Sequence, residues 1–367
     1  MKVSVYDSFD PFSVCFNLMK IKYKDYDESL TTKNFLTPSD KVNVFINLET
    51  CFKNLSTIKD LERKLVLQRD FDIIMTSNIL NLAAHYKRFF KSNGLDTKVY
   101  IYNTDFDSEE FDQYKYNEDY RTYYLLKFND NPKFARMTEL LKGYILPEVS
   151  VYCEFIPDVY YISAKNIEGS LVPYIISQDD IYRKNLIISG EIYDTQYTLI
   201  NNFVNHYIHK GIGTNFVLSS IDEYIKMLSK KESDELTKLV NVYKNYPLYC
   251  SLLSVLGDKS RSVESITGVG PKTLQKYIDD GIQKKEIQLN TTNPAMISTI
   301  FHDSSIEDEF VNNYYCTTIS EMYKELTQSE ISSVLNQRRD RLDMNSLINL
   351  NNSRFANYPL ILESLLL

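Results

Sequence analysis

Two glycines, a proline, a lysine and a threonine stand together at Gly268-Val269-Gly270-Pro271-Lys272-Thr273, within the string ITGVGPKTLQKYI. Glycines so placed permit a tight turn and close approach of another backbone. A proline fits the first turn of a following helix, where its missing N–H costs nothing. The exposed N–H groups at that helix start can hold a phosphate, and Lys272 and Lys276 can add positive charge. Contacts of that kind read the backbone of a nucleic acid and not its sequence. From Gly257 to Lys285 six bases stand against four acids, so the segment is net positive in a net negative chain. The bland alternative is a plain turn between two helices.

Other residues with chemical potential are sparse. His206 and His209 lie one helical turn apart but have no evident third ligand, which favours a packing or surface pair. The five cysteines (Cys15, Cys51, Cys153, Cys250, Cys316) are far apart with no CxxC pair, and read as reduced, buried thiols in a cytoplasmic protein. The tyrosine-rich stretch Tyr114–Tyr124, with Lys115 and Arg121, could stack on single-stranded bases or simply pack a helix. Neither a hydrolase elbow, a Walker loop nor a dinucleotide fingerprint is present.

The elements that must position these groups can be read from periodicity. VNVFINL (42–48), VYIY (99–102), VSVYCEFI (149–156, closed by Pro157) and NLIISG (185–190) are expected as four buried strands. Helices are expected over 60–92, ending at Asn93-Gly94, over 134–146, and around 168–178. Strands alternating with helices imply a parallel α/β sheet. From about residue 221 the pattern turns mostly helical. The expected organisation is an N-terminal extension (1–40), an α/β core (41–220), a region carrying the glycine hairpin (221–290) and a helical C-terminal region (291–367).

With those elements in place, residues 257–273 resemble, without a gap, the pattern G-D-x-S-D-N-I-x-G-V-x-G-I-G-P-K-T of the flap endonuclease and 5′-nuclease superfamily. The resemblance continues upstream in order. VNVFINLE, VYIYNTD, the Tyr-Lys-x-x-Arg-like stretch through Arg121, IEGSLVPYI and NLIISGEIYDTQ each sit where the family has a recognisable segment. The likeness spans about 42–290. It implies a PIN-like α/β core, with a helix–three-turn–helix that grips duplex or branched DNA through Gly268, Val269, Gly270, Lys272, Thr273 and Lys276. It also implies phosphodiester cleavage by two divalent ions held by carboxylates, since hard cations need several charged oxygen ligands.

The carboxylates are largely missing at the matching positions. Asn47 and Asn103 stand for two aspartates, Ser170 and Leu171 for a pair, and Tyr193 and Arg261 for two more. Glu168, Glu191 and Asp258 remain, as a remnant acidic cluster that is also the candidate metal site. An arginine at 261 puts a cation where a metal would bind. The expectation is a pseudo-nuclease that needs no cofactor. The alternative is an active Mg²⁺- or Mn²⁺-dependent 5′ nuclease with shifted ligands, for which Glu49, Asp105 and Asp194 lie within two residues of lost positions. A third reading is a protein-interaction subunit that no longer binds DNA.

Composition bounds these readings. The chain has 367 residues, 43% hydrophobic and 25% charged, ordinary for a folded domain of this size. Lys and Arg number 41 against 49 Asp and Glu, a formal charge of −8. Seven acids against one base between Asp105 and Asp119 account for −6 of it. The rest of the chain is near neutral, which leaves room for a local basic face. No apolar run of about 18 residues exists, so no membrane span is expected. The start of the chain lacks a signal-like apolar core. The 29 tyrosines, the absence of tryptophan and the abundance of Asn, Ile and Lys have the flavour of an AT-rich genome. That origin fits a phage or large virus, with replication, recombination or transcription proteins as partners. Arg338-Arg339-Asp340-Arg341 reads as a solvated helix face, and the apolar tail ILESLLL as a segment packed on the body or on a partner helix.

Overall fold

A computed structural model of the chain describes residues 37, 39–48, 71–105, 143, 145–154, 156–165, 167–189, 191–211, 216–219, 242–257, 263–286, 301 and 303–338. The first half forms β1 (Lys41–Asn47), α1 (Phe71–Ser92), β2 (Asp96–Asp105), α2 (Leu146–Cys153), β3 (Val159–Lys165), α3 (Val172–Asp179) and β4 (Lys184–Ser189). Next come β5 (Phe203–Gly211) and β6 (Phe216–Ser219). The helices α4 (Tyr246–Leu256), α5 (Pro271–Gln283), α6 (Ser304–Thr317), α7 (Ile319–Lys324) and α8 (Gln328–Leu335) complete the described elements. Short 3₁₀ turns at Gly169–Leu171 and Tyr193–Leu199 follow β3 and β4.

The sheet has the order β3-β2-β1-β4-β5-β6, with β6 alone antiparallel. The expected parallel α/β sheet is therefore present, with two strands more than the sequence pattern showed. In β5, Asn205, His206, His209 and Lys210 break up the apolar run that marks a buried strand. One assignment is corrected. The expected strand 149–156 is the helix α2, and the third strand lies beyond Pro157 at Val159–Lys165. Pro147 sits in the first turn of α2, and Val149, Tyr152 and Cys153 are buried at helical spacing. A strand would have put Val151 on the same face as Val149 and Cys153, yet Val151 is 38% exposed. A short apolar run does not distinguish the two by periodicity alone.

Alternation along β1 and β2 serves both faces of the sheet. Phe45, Tyr100 and Tyr102 join Ile162, Ile175, Ile176, Ile319 and Val334 in one buried cluster. Phe45, Tyr100 and Tyr160 are in register on three adjacent strands, and their rings stack at 5.1 and 5.2 Å. Each such cross-strand pair contributes about 0.5–1 kcal/mol beyond the area it buries. A second cluster joins Tyr193 to Tyr243, Leu248, Leu252, Leu253, Ile266, Val269, Leu274, Ile278, Phe310 and Tyr314. It packs the helices after residue 242 against the turn that follows β4. No helix among the described residues is long and apolar enough to cross a membrane.

The amino ends of β1, β2 and β4 are tied by Arg183, whose side chain is 3% exposed. Its Nε donates to Asn43 Oδ1 (2.8 Å), Nη1 to Asp96 Oδ2 (2.9 Å), and Nη2 to the carbonyls of Val42 (3.2 Å) and Asp96 (2.8 Å). The hydrogen bond from Arg183 holds the Asp96 carboxyl below its ordinary range, against the opposing effect of burial. A carboxyl depressed in the folded state stabilises the fold above its unfolded pKa, near about 4, and loses that contribution as pH falls through the folded value. Asp96→Asn is expected to flatten this acid limb in urea midpoints taken from about pH 6 to about pH 2. An unchanged limb would show that Asp96 does not carry it.

Candidate functional site

In an open α/β sheet, ligands bind beyond the carboxyl ends of the strands, where the order reverses. Here β1 leads to β2 and β3 on one side, and the chain then returns to place β4 on the other side of β1. The reversal lies between β1 and β4, whose carboxyl ends carry Asn47 and Ser189. Glu191 and Asp194 follow at once, on the turn after β4.

These four residues form one buried set. Asn47 is 4% exposed, Ser189 and Asp194 are fully buried, and Glu191 is 7% exposed. Asn47 Nδ2 donates to Asp194 Oδ2 (3.3 Å) and to Ser189 Oγ (3.4 Å). Ser189 Oγ also accepts the Glu191 N–H (3.0 Å). Glu168 is buried at the end of β3, where it precedes the first 3₁₀ turn and accepts from Ser170 Oγ (3.4 Å). Asn103, near the end of β2, accepts from Tyr161 Oη (2.6 Å) and donates to the Thr104 carbonyl (3.0 Å). Asn47 and Asn103 are thus both engaged in cross-strand or backbone hydrogen bonds.

Among the described residues no group of three His, Cys, Asp or Glu is placed to hold a metal ion. The neutral amides at Asn47 and Asn103 are poor ligands for hard cations. Asp258, Lys259 and Arg261 lie outside the described residues, as do Glu49, the acidic stretch after Asp105, the Tyr114–Tyr124 stretch, Cys15, Cys51, His302 and the tail after Arg338. The same holds for the side chains of Asp105, His85, His206 and His209. Burial pushes the Cys250 thiol up to about 12 and the Cys316 thiol up to about 11, which makes both poor nucleophiles.

Residues 268–270 form a turn that leads into α5. Helix α4 ends at Gly257 with φ +62°, where a Cβ would stand 2.5 Å from the Val263 carbonyl oxygen. Residues 263–264 therefore fold back over the end of α4. Gly268 adopts φ +79°, a conformation few other residues tolerate, and has open space where a side chain would begin. Val269 is buried and anchors the turn in the helical core. Gly270 caps α5, Pro271 occupies its first turn, and the first helical hydrogen bond runs from Leu274 N to Gly270 O (2.9 Å). The N–H groups of Gly270, Lys272 and Thr273 precede that bond. Lys272 and Lys276 are exposed one turn apart, while Leu274, Ile278 and Gly281 face inward.

The sequence did not reveal the role of Gln196. It is fully buried on the turn after β4. Its Nε2 donates to the carbonyls of Tyr193 (2.9 Å) and Thr317 (3.0 Å). Its Oε1 accepts from Ile319 N (2.9 Å) and Tyr246 Oη (3.0 Å). The turn that carries Glu191 and Asp194 is thereby bolted to α4, the helix that leads into the hairpin. The available signal was its place at the end of the NLIISGEIYDTQ match.

No family model and no curated protein matches the chain. Among solved structures, a bacteriophage T5 flap endonuclease in a pseudo-enzyme–product complex with DNA and metal ions aligns at 13% identity and a TM-score of 0.49. That alignment covers 80% of this chain and 98% of the other. A T5 5′-exonuclease with bound zinc aligns at 13% identity and a TM-score of 0.47, over 80% of this chain and 98% of that one. At these values the likeness transfers no residue role from those proteins to this one.

Proposed function

We propose that this protein binds the sugar–phosphate backbone of duplex or branched DNA through the hairpin ahead of α5, and that it does so without cleaving. The observation that carries the reading is the open end of α5. Gly268 and Gly270 leave space for a backbone to approach, the N–H groups of Gly270, Lys272 and Thr273 stand ahead of the first helical bond, and two exposed lysines flank them. The resemblance of residues 257–273 to the nuclease pattern supports the same use. Loss of cleavage is supported at the carboxyl ends of β1 and β4. Of the acids that shifted ligation would recruit, Asp194 is fully buried and accepts a hydrogen bond from Asn47.

The test is fluorescence anisotropy with duplex, flap and gapped DNA over a range of salt, paired with cleavage assays in Mg²⁺ and Mn²⁺. Binding is expected to weaken with salt at a log–log slope of about −2 to −4, matching a few phosphate contacts. No metal-dependent product is expected. Absence of salt-dependent binding would favour the protein-interaction reading. Robust cutting abolished by Glu168→Ala or Asp258→Ala would restore the nuclease.

A further inference from the structure

We propose that Gln337 stands in for a neighbouring strand and closes the outer edge of the sheet at β3 against pairing with a second copy of this chain. Among the described residues β3 is the last strand on its side of the sheet. Its Ser163 N–H donates to Gln337 Oε1 (2.8 Å), and Gln337 Nε2 donates back to the Ser163 carbonyl (2.9 Å). Two facing residues of an antiparallel ladder exchange the same pair of bonds, so one side-chain amide reproduces one rung. The partners are 174 residues apart, and α8 delivers the amide. Val334 of α8 is buried in the same core cluster as Ile162 of β3. Gln337 Nε2 also donates to the Ser333 carbonyl (2.8 Å), and Arg338 Nη2 meets Asp179 Oδ2 at the end of α3 (2.6 Å). These contacts fix the turn that carries Gln337. An edge strand is a template for further pairing unless charge, proline, a bulge or a cover prevents it. The segment VYYISAK has no proline, pairs with β2 without a register shift and carries one charge, Lys165, at its end. Among the described residues, the cover at Ser163 is Gln337. A second β3 is the partner that fits this edge. Paired antiparallel about Ser163, two copies would set Lys165 of one opposite Tyr161 of the other, with no like charges facing. This inference is independent of DNA binding by the hairpin, whose residues it does not use.

Hydrogen exchange at the Ser163 amide, with sedimentation of the full chain over a range of concentrations, tests it. In the wild type the Ser163 N–H is expected to exchange about 10-fold or more slowly than an exposed amide, at every concentration. In Gln337→Ala it is expected to exchange about 10-fold faster than in the wild type when dilute, and to regain protection as concentration rises. Over the same range the average mass of the variant is expected to climb toward about twice that of the wild type. Adding Ser163→Lys to Gln337→Ala sets two lysines face to face in the paired copies, and is expected to return the mass to the wild-type value. A Gln337→Ala mass equal to that of the wild type overturns the inference. So does a rise in mass that leaves the Ser163 amide exchanging at its dilute rate. Two outcomes in the wild type alone do the same: a Ser163 amide as fast as an exposed one, or protection there that grows with concentration and mass. Those arms need no variant, so a variant that fails to fold leaves the test decisive.

Discussion

Gln196→Leu is expected to lower the free energy of unfolding by about 2–6 kcal/mol, read as a shift of the urea midpoint at unchanged slope. Leucine fills a similar volume but leaves the Thr317 carbonyl and the Ile319 N–H without the partner that each now has in Gln196, and leaves the Tyr246 hydroxyl only its longer bonds to Ser320. Each buried polar group left in that state costs about 1–3 kcal/mol. Gln196→Glu is expected to fail as well, because the carbonyls of Tyr193 and Thr317 require donors that a carboxylate lacks. If both variants stay within about 1 kcal/mol of the wild type, water must replace the side chain and the bolt between sheet and helices is not energetic.

The second large effect concerns DNA. The double variant Lys272→Ala, Lys276→Ala is expected to weaken duplex binding by about 10- to 100-fold at low salt and to reduce the salt slope by about 2. Both lysines lie on the exposed face of α5, while Leu274 and Ile278 hold the opposite face in the core, so folding should be unaffected. Lys324, paired with Glu321 at 2.7 Å, serves as a surface control. Equal binding by the double variant and the Lys324→Ala control would remove the hairpin from the interface. Gly268→Val adds a conformational arm. A β-branched residue at φ +79° is strained by about 1–3 kcal/mol, and the turn should open before α5 unfolds.

Legibility in the sequence followed the range of the interactions involved. The strands at Val42–Leu48, Val99–Tyr102 and Asn185–Ser189 were readable because burial on both faces of a parallel sheet demands continuous β-branched and aromatic runs. The hairpin was readable because a left-handed turn and a helix start impose glycine and proline at fixed offsets. The strand expected at 149–156 turned out to be a helix. Eight apolar-rich residues satisfy either period, and only packing against α1 and β3 selects the helical face. Strand β5 was hidden because its polar residues dilute the run.

The sequence by itself determined which groups are available. It showed a glycine hairpin, net positive in an acidic chain, and asparagines rather than aspartates at 47 and 103. What the remaining groups do to one another was decided only by the tertiary structure. Asn47 and Asp194 are 147 residues apart in the chain, and Gln196 and Ile319 are 123 apart. No local pattern encodes such meetings, because they depend on which strands become neighbours and on the register between them. Placing β1 beside β4 is what brings the Asn47 amide within hydrogen-bond distance of the buried Asp194.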